Sequence, residues 1–316
     1  MLPAMKAVLI HEFGDTDVLR LEEVPLPEVE PSEVLVHIHA AGVNPIDRKL
    51  RESGGPELEP PLILGFDLSG TVEAVGEQVD AFAVGDAVHG QAPLRDGYGT
   101  YAQYAAVPAD ALVHKPDGID HVHAAALPLA GLTAWQALRD HAELAAGERV
   151  LIHGGAGGVG HLAVQFARRW EAHVIATGSP DSHELLRELG ADEVVDYHDH
   201  DPVEAVGQVD VVLDTVGGVV TDRSLLALDA GGRLVSTVDE PDPKLARARG
   251  VTATRMTVRS DPDQLREIDR LVERGEVWVV VEDTFPLVEV AHAHRRSAEG
   301  HVKGKLVLDL VDGTGS

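Results

Sequence analysis

Cysteine is absent from this 316-residue chain. That excludes disulfides, thiolate nucleophiles and cysteine-ligated zinc. Aromatic residues make up only 4% of the sequence, so Val, Ala, Leu and Ile must fill its cores. No apolar run reaches the ~18 residues of a membrane-spanning helix. Positive charge is scarce as well. Lys and Arg number 26 against 53 Asp and Glu, giving a net charge of −27. Such a surface argues against nucleic acid and anionic membranes as partners. Its acidity fits either adaptation to high salt or a GC-rich genome with a solubilising surface. Met1–Phe13 reads as a strand, with no basic flank leading into an apolar core. No signal peptide and a cytoplasmic location are therefore expected.

The length and the 44% hydrophobic content are sufficient for two full-sized domains. Up to about Ala124 the chain shows short alternating or apolar runs, as in Lys6–His11, Val18–Glu23, Glu33–Ala41, Leu68–Val75, Asp86–Gly90 and Tyr101–Val107. Dense glycine between them suggests a small, strongly curved barrel. The pattern then changes. His123–Leu138 reads as a helix, and strands at Arg149–His153, Ala172–Thr177, Glu193–Tyr197, Val209–Asp214, Arg233–Val238 and Val251–Val258 alternate with helices. Six such strands predict an α/β Rossmann domain, a doubly wound parallel sheet. The segment after the helix Asp263–Arg274 returns to the style of the first domain. The expected division is 1–124 with 276–316, and 125–275. Gly313–Ser316 is expected to be a frayed end.

The strongest local signal is Gly155-Ala156-Gly157-Gly158-Val159-Gly160. An apolar strand precedes it and a helix follows. Glycines there permit a tight turn and close approach of a pyrophosphate, which the helix N-terminus attracts. An NAD-preferring unit ends its next strand in Asp or Glu. Here that strand ends in Thr177-Gly178-Ser179, which favours NADPH over NADH, with Thr177 and Ser179 at the turn. Arg and Lys are missing nearby, and Asp181 would repel a phosphate if it pointed inward. Ser182, His183 and Tyr197 are further candidate donors. Val216, beyond the strand Val209–Asp214, completes the set on this side.

Several segments together resemble the zinc-independent quinone oxidoreductase and enone reductase branch of the medium-chain dehydrogenase/reductase superfamily. They are Met5–Val8, Ala41-Gly42-Val43-Asn44-Pro45-Ile46-Asp47-Arg48-Lys49, Leu64–Gly70, Val84–Val88, Pro128–Ala134, Gly154–Gly160 and Gly300–Val307. The resemblance covers essentially the whole chain. It implies a GroES-like, mainly β catalytic domain beside the Rossmann domain, with NADPH in a cleft between them. It implies a small-molecule quinone or α,β-unsaturated carbonyl as substrate, and homodimers. Zinc-dependent members carry Cys where this chain has Asn44, and Gly-His-Glu where it has Gly65-Phe66-Asp67, so no metal is expected. The H-x-H pairs His37/His39, His121/His123, His198/His200 and His292/His294 show no consistent third ligand and read as surface histidines.

Hydride transfer needs no side-chain nucleophile; the protein orients the reactants and stabilises developing charge. Asn44 is the expected donor to the substrate oxygen, although Asn before Pro also suits a plain turn. Asp47 and Lys49 are expected to orient substrate or Asn44. Thr133 resembles the family's contact on the nicotinamide side, and Lys303 and Lys305 resemble the element that closes over the cofactor. Arg51–Pro61 and Gln91–Tyr98 are candidate substrate linings. Other readings are a non-catalytic NADPH-binding sensor or crystallin-like protein, and an enoyl-thioester reductase.

Overall fold

The computed structural model describes residues 4–56, 58–94 and 97–311. The expected frayed end at Gly313–Ser316, Glu57 of the first candidate lining, and Arg95 and Asp96 of the second lie outside the described residues. The chain opens with β1 (Ala4–Ile10), β2 (Arg20–Pro25), β3 (Glu33–Val43), helix α1 (Pro45–Ser53), β4 (Leu62–Ile63), β5 (Asp67–Val75), β6 (Ala87–Gln91), β7 (Tyr104–Pro108) and β8 (Leu112–His114). Helices α2 (His121–Ala126) and α3 (Pro128–Trp135) come next. The sequence suggests one helix over His123–Leu138. Pro128 divides it, because proline cannot donate to the preceding turn.

Next come β9 (Arg149–His153), α4 (Gly160–Arg169), β10 (His173–Gly178), α5 (His183–Glu188), β11 (Glu193–Asp196), α6 (Pro202–Val206), β12 (Val209–Asp214), α7 (Val219–Ser224), β13 (Leu228–Ser236), α8 (Pro243–Arg249) and β14 (Thr252–Arg255). The six strands form one parallel sheet in the order β11-β10-β9-β12-β13-β14. The order reverses beside β9, where a Rossmann fold binds its ligand. Val150, Leu151 and Ile152 of β9 are fully buried, as a central parallel strand covered on both faces requires. Each contributes about 1.5–3 kcal/mol by burial.

The chain ends with α9 (Pro262–Glu273), β15 (Val281–Pro286), α10 (Val290–Glu299) and β16 (Lys305–Asp309). β15 and β16 join the main β sheet in the order β15-β16-β3-β5-β6-β8, with β7 also paired to β3. A smaller sheet runs β2-β1-β4. From Val36 to Ala40 of β3, the buried Val36, Ile38 and Ala40 alternate with the half-buried His37 and His39, the period-two pattern of a strand.

Two compact units result: residues up to Leu129 with Ser260–Arg274 and from Val281 onward, and Ala130–Arg259 with Gly275–Val280. Helix α9 belongs to the first, whereas its sequence position suggests the Rossmann part. Its Asp269 lies 3.0 Å from Nε2 of the buried His89 on β6, and His89 Nδ1 donates to Ala124 O. This tie spans 180 residues, so local pattern carries no trace of it.

Candidate active site and nucleotide loop

Four helices begin at an Asx-Pro step: Asn44-Pro45, Asp201-Pro202, Asp242-Pro243 and Asp261-Pro262. Proline suits the first helical position because its missing N–H would be unpaired there anyway. In three of the four, the Asp side chain caps the helix by accepting a free backbone N–H. Asn44 differs: Asn44 and Asp47 form a capping box, in which the Asp47 N–H bonds the Asn44 main-chain O at 3.0 Å. Asp47, one turn on, accepts the main-chain N–H of Asn44 at 2.7 Å, and the hydrogen bonds of the Asn44 carboxamide go to other strands.

Those partners come from far along the chain. Asn44 Nδ2 donates to Asp67 Oδ2 at 2.9 Å, and Asn44 Oδ1 accepts from Lys305 Nζ. Lys305 Nζ also donates to Val43 O at 3.3 Å and lies 3.7 Å from Asp67 Oδ2. The other Asp67 oxygen accepts the Leu129 N–H at 2.8 Å. Tyr101 OH donates to Asp47 at 2.7 Å. Strand pairing sets these positions: Gly42 pairs with Asp67, and Val43 with Leu306, next to Lys305. Gly42 must be glycine, since a Cβ there would meet Asp67 at 2.9 Å and Ala125 O at 2.5 Å.

Asn44, Asp47, Asp67, Tyr101 and Lys305 are all buried, the most exposed at 3%. Burial shifts every titrating member toward neutrality. It lifts the Asp47 carboxyl to about 7 despite the Tyr101 and Asn44 hydrogen bonds. It raises Asp67 against the pull of Lys305, and raises Tyr101 well above the usual phenol range, helped by Asp47. It lowers Lys305, opposed by Asp67 and Asp47. Two carboxyls share one ammonium, so a proton on Asp47 leaves the group electrically neutral.

Of the expected catalytic residues, Asn44 and Asp47 therefore meet and Lys49 does not. Lys49 is exposed. It follows Asp47 by two residues, about 200° around the helix, and so lies on the opposite face. Lys305, expected to close over cofactor, is instead enclosed in this cluster. Lys303 is half-buried, and its N–H donates to Glu282. Asp67 and Tyr101 are functional candidates that residue type alone does not single out. The signal for Asp67 was its place in the Gly65-Phe66-Asp67 segment; Tyr101 had none. Arg51 is no lining residue. It is 1% exposed and donates to Gly14 O, to Glu52 and to Nδ1 of His294. Burial and Arg51 together drop His294 to about 3, so its ring stays neutral.

The glycine loop in the second unit is built for a close-approaching ligand. Gly154 turns the chain at φ +67°. A Cβ on Gly155 would stand 2.9 Å from Ala176 Cβ and Leu186 Cδ2, and one on Gly160 2.1 Å from Gly154 O. Residues 157–159 are half-exposed at the start of α4, where backbone N–H groups and the helix dipole favour an anion. This cradle fits a dinucleotide pyrophosphate.

A buried polar frame holds the loop. Ser224 OH donates to Val220 O, so it accepts from His153 Nε2 at 2.9 Å. That tautomer leaves His153 Nδ1 as acceptor for Thr177 OH at 3.5 Å, and the Thr177 oxygen takes the Gly154 N–H at 3.1 Å. Burial holds His153 down to about 4, so the frame is neutral. Thr177, expected to face the cofactor, is 2% exposed and braces the loop. Asp214, at the end of β12, accepts from the N–H groups of Val216 and Gly217 and from Thr221 and Ser236 hydroxyls. It fixes the turn that carries the half-exposed Val216. His153 and Asp214 are polar residues ending apolar strands, a signal that motif spacing alone does not weigh.

At the end of β10, Ser179 OH donates to Asp181 Oδ1 at 2.6 Å. The serine expected to meet a phosphate is engaged by the very acid expected to repel one. His183 is half-buried, and its Nε2 is closed off from solvent with no hydrogen-bond partner among the described residues. Tyr197 is 39% exposed beside His198. Thr133 is buried within α3.

The H-x-H pairs do not assemble into a metal centre: among the described residues no group of three or more His, Asp or Glu could hold an ion. His39 and His121 do pack edge to face, centroids 4.3 Å apart, with Ser69 Oγ 2.8 Å from His121 Nδ1. Burial and His39 lower His121 to about 4.

This fold and these sites define a nicotinamide-dependent oxidoreductase of the medium-chain dehydrogenase/reductase superfamily. The chain belongs to its quinone oxidoreductase and enone reductase branch. Residues 30–117 match the alcohol dehydrogenase GroES-like domain, and 189–308 the zinc-binding dehydrogenase family. The chain is 34% identical to the NAD(P)H oxidoreductase RTN4IP1, mitochondrial, of Homo sapiens, over 97% of this chain and 89% of that protein. It is also 34% identical to the NADPH-dependent alkenal/one oxidoreductase, chloroplastic, of Arabidopsis thaliana, over 96% of this chain and 79% of that one. Among solved structures, the quinone oxidoreductase from Coxiella burnetii superposes with a TM-score of 0.91 at 36% identity, covering 98% of this chain and 100% of the other.

Proposed function

We propose that this protein uses NADPH to reduce a quinone or an α,β-unsaturated carbonyl, without zinc. The observation that carries the reading is the Asn44 carboxamide, clamped between Asp67 and Lys305. A bound nicotinamide supplies the hydride. The chain's own task is to hold the acceptor and stabilise negative charge growing on its carbonyl oxygen. A fixed neutral N–H donor in a desolvated site does this without reorganisation. A divalent cation at the same place would face the Lys305 ammonium and would have no thiolate to bind. NADPH is preferred to NADH because no acid ends β10.

The test is direct. Titrate NADPH and NADH by fluorescence, then follow absorbance at 340 nm with small enones, quinones and enoyl thioesters. NADPH should bind more tightly and be consumed with an enone or quinone. Tight binding without turnover of any acceptor would favour a sensor, and turnover of thioesters alone an enoyl reductase. We further propose a homodimer. Among the described residues the edge strand β14 leaves one side of the Rossmann sheet unpaired, a ready surface for a second copy. Sedimentation velocity showing a monomer at micromolar concentration would exclude it.

A further inference from the structure

We propose that Lys305 and Asp67 are positioning residues that lock the Asn44 carboxamide in one orientation, leaving a single polarised N–H for the substrate carbonyl oxygen. The inference rests on the function proposed above and assigns the residues that make Asn44 effective.

The argument is one of donors and acceptors. An ammonium has only donors, and a carboxylate only acceptors. Lys305 Nζ faces Asn44 Oδ1, and Asp67 Oδ2 faces Asn44 Nδ2. A flipped amide would set NH₂ against the ammonium and carbonyl oxygen against the carboxylate. Both contacts would be repulsive, in a cluster where no member exceeds 3% exposure. Burial makes that penalty large. The main chain of Asn44 is pinned too, through Asp47, so the residue cannot turn as a whole. Nδ2 carries two hydrogens, and one is committed to Asp67. The second is the N–H that a substrate oxygen can take.

The ammonium does more than orient. Held on the amide oxygen, it draws electron density through the conjugated C–N bond and makes the remaining N–H a stronger donor. Strand pairing supplies both ends of the clamp: Asp67 opens β5 opposite Gly42, and Lys305 opens β16 beside the partner of Val43. Lys305 also lies 3.7 Å from Asp67 and donates to Val43 O, so the Asn44→Ala background separates an effect through Asn44 from one that bypasses it.

The test compares wild type, Asn44→Ala, Lys305→Met, the charge-balanced Lys305→Met/Asp67→Asn, and Asn44→Ala/Lys305→Met. The double neutral variant guards against misfolding from an uncompensated carboxylate. Removing a fixed donor to a developing oxyanion costs on the order of 10²-fold in kcat. Lys305→Met and the neutral pair should lose about 10- to 100-fold in kcat, with acceptor KM and NADPH Kd within about threefold. In the Asn44→Ala background, Lys305→Met should cost less than about twofold more, because the residue it positions is gone. A second readout needs no turnover. The Asn44 side-chain amide in ¹⁵N NMR, assigned by its loss in Asn44→Ala, should show two distinct, slowly exchanging protons. The neutral pair should exchange them about tenfold faster or more. The proposal is overturned if Lys305→Met keeps kcat within twofold, if its loss persists undiminished in the Asn44→Ala background, or if the amide signal is unchanged. Absence of any turnover in the wild type would refute the proposed function instead, and the amide signal would still decide whether the clamp exists.

Discussion

Tyr101 OH and the main-chain N–H of Asn44 converge on one oxygen of Asp47, each at 2.7 Å, while the other oxygen has no hydrogen-bond partner among the described residues. Burial outweighs both bonds and lifts the carboxyl to about 7. A carboxyl whose folded pKa lies above its unfolded value binds more protons when folded. It therefore removes stability as pH rises between the ordinary Asp value near 3.8 and about 7. Relative to Asp47→Asn, the wild type should lose up to about 4 kcal/mol between pH 4 and pH 8, since each pH unit across that window is worth ~1.4 kcal/mol. Urea melts of both proteins at several pH values check this. Parallel pH profiles would refute it.

Tyr101→Phe should act on the same carboxyl in a defined direction. It removes a donor that stabilises the charged form, so the pH-dependent loss should move to higher pH. The Asp47 oxygen then keeps only the Asn44 N–H, and losing one of its two hydrogen bonds costs about 0.5–1.5 kcal/mol. The ring itself remains, still edge-on to neutral His294, so packing loss is small. The measurement is the midpoint of stability against pH in this variant; an unchanged midpoint would show that the hydrogen bond does not tune Asp47.

In the nucleotide loop, Gly160→Ala should be more harmful than its single methyl suggests. The Cβ would stand 2.1 Å from Gly154 O and 2.8 Å from Gly155 Cα. Both are backbone atoms of the same loop, so relief requires the loop to open. Binding of NADPH should weaken by about tenfold or more, roughly 1.4 kcal/mol, while the β-rich unit keeps its thermal transition. Isothermal titration distinguishes this from general unfolding.

Local patterns recover much of this fold. The six Rossmann strands and the glycine loop follow from alternation and spacing, and Val209–Asp214 matches β12 residue for residue. What escapes is whatever depends on distant pairing. Lys305 lies 261 positions from Asn44, and Tyr101 54 positions from Asp47. A lysine beside glycines looks solvated until β16 is paired to β3. Lys49 looks close to Asp47 in sequence, but helical rotation separates them. Asn44 stands out by type, yet Asn-Pro alone also describes a helix cap, the role that Asp fills at the three other Asx-Pro starts. Only the side chains on neighbouring strands decide between the two.

Asp181 gives the last test, of cofactor choice. Its carboxylate takes the Ser179 hydroxyl at 2.6 Å, beside the turn where a nucleotide-binding unit meets the ribose. In this form the turn offers a 2′-phosphate a negative charge and no serine donor. Asp181→Ala removes the charge and frees the hydroxyl; Asp181→Arg adds a cation as well. Affinity for NADPH should rise by about three- to tenfold in the first and more in the second, while affinity for NADH, which lacks that phosphate, stays within about twofold. One hydrogen bond to a charged group contributes about 1.5–3 kcal/mol when fully formed, and solvent at this exposed turn reduces it. Raising the salt concentration should shrink the gain for Asp181→Arg. If both cofactors respond alike, the turn does not contact the ribose, and the preference for NADPH must rest elsewhere.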